Sequence, residues 1–125
     1  MSADAIPDDV RRFILTTIPS VPYLEAVLQF QRHPEARHST SDIARALYVS
    51  EAMAAGLLQA MCAAGILTVD SDRFKYAPDA ALAEALERLA EVYGRNLIGV
   101  TELIHDATQR SAQQFAEAFR LRRRT

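Results

Sequence analysis

The stretch "SEAMAAGLLQAMCAAGIL", residues 50–67, fixes how the rest of the chain is read. Ser50 suits a helix N-cap, because its hydroxyl can accept from a backbone N–H in the first turn. Gly65 suits the position just past a helix end, where a left-handed residue is common. Between them Ala54, Leu57, Leu58 and Met61 recur at three- and four-residue steps and form an inward stripe. The outward face is then Ala52, Met53, Ala55, Gly56, Gln59 and Ala60, and the stretch has no Lys or Arg.

Working toward the N-terminus, "HSTSDIARALYVS" predicts a short helix through Ile43, Ala44 and Leu47. Ser39 with Asp42 three residues on forms a capping box with Asp for the usual Glu. "YVS" leaves room only for a tight connection. Before it, "SVPYLEAVLQFQRH" has Ser20 as N-cap and Pro22 in the first turn, and Val21, Leu24, Val27 and Leu28 at helical spacing. "PDDVRRFILTTI" gives a first helix, with Asp8 and Asp9 at its positive end and Pro19 as its stop. The segment "HPE" at His33–Glu35 reads as a turn.

Toward the C-terminus, residues 66–69 read as a strand, "DSD" as a turn and "RFKYA" as a second strand, together a hairpin. Pro78 and Asp79 open one long expected helix, "DAALAEALERLAEVYGRNLIGVTELIHDA". Leu82, Leu86, Leu89, Tyr93, Asn96, Val100 and Leu103 alternate in steps of four and three. This heptad-like seam predicts pairing with a second copy, with Asn96 setting register. Gly94 and Gly99 weaken it. A separate last helix is expected from Ser111 and Gln114 in capping-box positions, with Phe115, Ala118 and Phe119 on its stripe. It ends in a basic cluster, Arg120 and Arg122–Arg124, read either as a phosphate or acidic-partner contact or as a solubilising end.

Helix, tight turn, capped helix, glycine stop and hairpin in this order resemble the winged helix-turn-helix of bacterial transcription regulators. The resemblance is clearest over residues 39–77. It rests on Ile43, Ala44, Leu47 and Ser50, and then on Leu57, Leu58, Met61, Gly65, Ile66 and Leu67. It implies a mainly α fold with a small β wing. Residues 1–78 would form the winged domain with its N-terminal helix. Residues 79–125 would be a helical dimerisation extension packed on the first part as one unit.

The resemblance also implies a DNA face: Ser50 as cap and phosphate contact, Arg45, Arg73 and Lys75 as phosphate contacts, Gln59 as base reader and Met53 against thymine methyls. Such proteins draw most of their affinity from Lys and Arg neutralising phosphates. Here residues 38–72 hold one basic residue, Arg45, against Asp42, Glu51, Asp70 and Asp72. The expectation is therefore a transcriptional regulator with weak intrinsic DNA affinity. The alternative is a winged-helix adaptor that binds protein through Ala52, Gly56 and Ala60, whose spacing leaves one ridge nearly bare backbone. A third possibility is that this ridge is exposed filler.

Composition narrows the remaining classes. The chain has 125 residues, 50% hydrophobic and 24% charged, with a net charge of −2. That suits one domain-sized core and supplies no global field toward polyanions. All basic residues except Lys75 are Arg. A single cysteine, Cys62, excludes an internal disulfide and has no neighbouring base to activate it. His33, His38 and His105 have no metal-ligand spacing, and no phosphate loop or catalytic triad signature is present. No enzyme activity, cofactor or metal is expected. No window suits a membrane span and the N-terminus lacks a signal-peptide pattern, so a cytoplasmic protein without membrane insertion is expected.

Overall fold

The computed structural model describes residues 5–124, without the side chains of 119 and 121–124. In chain order the elements are α1 (Asp8–Thr17), α2 (Val21–Arg32), β1 (Arg37–His38), α3 (Thr40–Leu47), α4 (Glu51–Ala63), β2 (Leu67–Asp70), β3 (Arg73–Tyr76), α5 (Ala80–Arg95) and α6 (Leu97–Arg124).

Helix starts follow their caps. Ser20 accepts from the Tyr23 N–H, Ser50 from Met53 and Asp79 from Leu82. At α3 the capping box closes in both directions: Ser39 Oγ accepts from Asp42 N–H, and Asp42 Oδ2 accepts from Ser39 N–H at 2.9 Å. Gly65 takes φ 81°, the left-handed geometry expected past α4. The chain then enters a three-stranded antiparallel sheet of order β1-β3-β2. Leu67 pairs with Tyr76 and Asp70 with Arg73, so Ser71 and Asp72 form a two-residue turn, both at positive φ. That is the backbone of the hairpin turns that match strand twist.

One core cluster runs from Val10 on α1 to Ile104 on α6, with Phe30, Ile43, Leu58 and Ile66 fully buried between them. α2 packs against α3, α4 and α6, and α1 lies on α5 and α6. No single helix among the described residues is long and apolar enough to cross a membrane. α1 with α2 and α3 with α4 form two bent pairs. They are pairs bent by 106° and 111° that supply much of this core.

The structure corrects the sequence reading in four places. The long helix after Asp79 is two helices, broken at Asn96, whose φ of −141° and ψ of 63° leave the helical region. Asn96 does not set a coiled-coil register. Its Oδ1 accepts from the Gly99 N–H at 3.0 Å and so caps α6. A Cβ on Gly99 would collide with the Asn96 side chain, so the glycine permits the cap. Second, the seam is internal. Leu86, Leu89, Tyr93, Val100 and Leu103 are buried within the chain's own core, and Leu82 is partly buried against it. A core-facing helix and a coiled-coil seam share one apolar spacing, and here the partner is α1 and α2 rather than a twin. Tyr93 makes this explicit: its hydroxyl donates to Glu25 on α2 at 2.7 Å. Burial and that carboxylate push its pKa up to about 12.

Third, no helix begins at Ser111, because α6 continues through it. Fourth, Arg37 and His38 form a strand that the sequence reading omits. They pair with Lys75 and Phe74. The side chains of the basic cluster at 122–124 lie outside the described residues, whereas Arg120 is exposed.

Candidate nucleic-acid interface

α3 and α4 meet at the residues between Leu47 and Glu51. α3 ends on Tyr48, which adopts φ 57° and ψ 44° and donates its N–H to the Ala44 and Arg45 carbonyls. Val49 is partly buried against the core, and Ser50 then starts α4. The two helices are bent by 111° relative to each other, within the range of DNA-binding helix pairs. Ala54, Leu58 and Met61 anchor α4 in the core with no solvent exposure. Ala52, Met53, Ala55, Gly56, Gln59 and Ala60 are all exposed. A Cβ built on Gly56 meets nothing within 4 Å. The outward face is thus the one expected from periodicity.

The charges around it are already engaged. Arg45 Nη2 lies 2.8 Å from Asp42 Oδ1, and Arg73 Nη1 lies 3.8 Å from Asp42 Oδ2. Lys75 faces Glu35 at 3.8 Å, and Arg37 pairs with Asp70 at 2.8 Å. Two further residues therefore belong to the electrostatics of this surface: Arg37, a cation on β1, and Asp42, the carboxylate shared by Arg45 and Arg73. Hydrogen bonds from the Ser39 backbone and hydroxyl, then Arg45 and Arg73, hold the Asp42 carboxyl below the usual range. It is ionised at neutral pH. Glu51, the one charged residue of α4, accepts from the Ser41 hydroxyl and puts a negative charge in the first turn. Ser50 Oγ accepts from Met53 N–H at 3.0 Å. Its O–H is a donor that this capping bond does not use.

These pairs are exposed, so each contributes little to stability, typically under about 1 kcal/mol. An anion approaching these cations would compete with the carboxylates that pair with them. The sequence already contained Asp42 and Glu51, but only the fold shows what they hold. Arg37 was missed because its place depends on β1 pairing with β3.

His38 is partly buried, with its ring edge-on to Phe30 at a centroid distance of 4.8 Å. Its Nε2 is buried with no hydrogen-bond partner among the described residues. Burial lowers its pKa, opposed by Asp42 and aided by His33. No group of three or more His, Cys, Asp or Glu among the described residues is placed to hold a metal ion. Burial raises the pKa of the Cys62 thiol, the direction that disfavours the reactive thiolate.

No family model and no curated protein matches the chain. Among solved structures it is similar to a MarR family transcriptional regulator from Silicibacter pomeroyi, at 23% identity and a TM-score of 0.53, over 90% of this chain and 78% of that one. The fold is a winged helix-turn-helix. In it α3 and α4 are the paired helices, β2 and β3 the wing, and β1 the third strand that joins the wing to the helices. α5 and α6 follow as the C-terminal helices of the same winged-helix chain.

Proposed function

We propose that this chain is a transcriptional regulator of the winged-helix type, acting as a homodimer with weak intrinsic affinity for duplex DNA. The observation that carries the reading is the α3–α4–wing arrangement with α4's unburied face turned to solvent. In this role Ser50 and Arg45 meet one phosphate strand, and Arg73 and Lys75 meet the other side of the groove from the wing. Met53 and Gln59 are the α4 residues able to touch base edges, Gln59 through a paired contact to adenine. Weakness follows from the ion pairs, because Arg45, Arg73, Lys75 and Arg37 each lie within 4.0 Å of a carboxylate. The dimer is supported by the second half of α6. Residues 109–118 are exposed on every side, and Phe115 is 74% exposed. A long helix without a core to pack on is marginal in water unless another chain covers it.

A second reading has its own support. α4 carries a single charge, Glu51, and Ala52, Gly56 and Ala60 leave one exposed ridge nearly free of side chains. Small residues allow a second helix to approach toward the short end of the roughly 8–10 Å interaxial range. On that reading the chain is a protein adaptor. Gly56 separates the two, because the space beyond it is open. Gly56→Arg should strengthen binding to random duplex and steepen its salt dependence if α4 enters a groove. If Gly56→Arg leaves DNA binding unchanged while Gly56→Gln abolishes association with a protein partner, the adaptor reading replaces the regulator.

A further inference from the structure

β1 is the least supported strand of the sheet. It is two residues long, lies at the edge of the order β1-β3-β2 and has β3 as its one strand partner. The ion pairs beside it, Arg37–Asp70 and Lys75–Glu35, are open to solvent and hold it weakly. What fixes β1 inward is His38. Its ring meets Phe30 of α2 edge-on, and Phe30 has no solvent exposure. His38 is paired with Phe74, so its side chain shares the inner sheet face with Phe74 and Tyr76, which pack against the core. The next residue, Ser39, is the N-cap of α3. The chain thus passes from the sheet to the helix pair through His38.

The buried end of this ring is ill suited to a proton. His38 Nε2 is buried without a hydrogen-bond partner among the described residues. A neutral imidazole can leave one nitrogen bare, whereas an imidazolium carries an N–H on both. An unpaired N–H and its charge are costly to bury. The surrounding groups do not offset this. From α3, the Asp42 charge favours the imidazolium, but Ser39, Arg45 and Arg73 already engage that carboxylate. His33, after α2, opposes it. α2 and β3 add only uncharged groups, Phe30, Gln31 and a Tyr76 hydroxyl that burial keeps protonated. Glu87 of α5 acts on Tyr76. Arg37 and Lys75 lie on the other face of the sheet, toward Asp70 and Glu35.

We propose that protonation of His38 opens β1 from β3 while the helical core stays folded, so that the joint between wing and helix pair responds to pH. Opening puts the ring in water, where its pKa returns to about 6.5. The open form therefore gains as pH falls below that value, by up to about tenfold near pH 5.5. The device belongs to the sheet and does not depend on DNA binding.

Amide hydrogen exchange of the full chain tests it, at about pH 7.5 and about pH 5.5, with and without low urea. Protection is taken relative to the intrinsic rate at each pH. Amides of the β1–β3 pair should lose protection by up to about tenfold at the lower pH. They should be insensitive to low urea, as local openings expose little surface. Leu58 and Met61 in the buried face of α4 should instead respond steeply to urea, because their exchange needs global unfolding. The midpoint should follow the His38 ring signal in NMR and not that of His33. His38→Phe keeps a ring against Phe30 and should abolish the pH step. Three results would overturn the switch: β1–β3 protection that does not change with pH, a urea dependence equal to that of α4, or the same pH step in His38→Phe. The first two come from the wild-type chain alone and decide the matter even if the variant does not fold.

Discussion

Asp42 uses two oxygens for three partners. It closes the α3 capping box and at the same time holds Arg45 and Arg73. Asp42→Asn keeps a side-chain carbonyl able to accept from Ser39 and releases both arginines. The salt slope of DNA binding should steepen by up to about 2, one step of roughly 0.9 per freed cation, and affinity at low salt should rise; an unchanged slope in a salt titration would show that these arginines do not meet phosphate. His38 and Asp42 make stability depend on pH. His38 has a folded pKa lowered from 6.5 by burial. Below 6.5 the unfolded chain takes up a proton that the folded chain resists, so stability should fall as pH drops from that point toward the folded value. Asp42, lowered from 3.8, adds stability above that value that is lost as pH falls through its folded pKa. Urea denaturation between pH 8 and 5 should show the His38 step. His38→Phe, which keeps an aromatic ring against Phe30, should remove it.

At the scale of the element, α4 and the α5–α6 break behave oppositely toward added side chains. Gly56→Ala adds a methyl in open space and should stabilise the fold by up to about 1 kcal/mol from helix propensity. Gly99→Ala forces Asn96 off its cap and should destabilise by about 1 kcal/mol, the usual cost of losing an N-cap; equal shifts of one sign in chemical denaturation would refute this contrast. The same elements show what could be read in advance. Ser20, Ser39, Ser50 and Asp79 cap helices through residues three positions away, a local signal that a sequence displays. Asn96 is equally local, but it falls on a heptad position, and the apolar spacing continues across the break. β1 is two residues long and exists through pairing with Lys75 and Phe74, so no local pattern announces it. The outward face of α4 was legible because burial follows its period. The ion pairs across α3, the wing and β1 were not, because they join residues as far apart as Arg37 and Asp70.

For the whole molecule, the core and the exposed second half of α6 are separable. Leu89 is buried at 1% exposure and Phe115 lies on the exposed part of α6. Leu89→Asp should unfold the chain, since it buries an unpaired charge. On the homodimer proposal the parent should sediment as a dimer and Phe115→Asp as a folded monomer. A parent that sediments as a monomer at micromolar concentration would remove the homodimer from the proposal. The charge balance sets the remaining expectation. With a net charge of −2 and these cations paired to carboxylates, the protein has little long-range attraction to DNA, and on the proposed function its affinity would come from contacts at the surface of α4 and the wing. The most direct measurement is the affinity of the full chain for random-sequence duplex as a function of salt. The expected result is weak binding that weakens further with salt, at a slope no steeper than about −4 per protomer for Arg37, Arg45, Arg73 and Lys75. No binding at low salt would contradict a DNA-binding function, and a much steeper slope would contradict an interface whose cations are held by their own carboxylates.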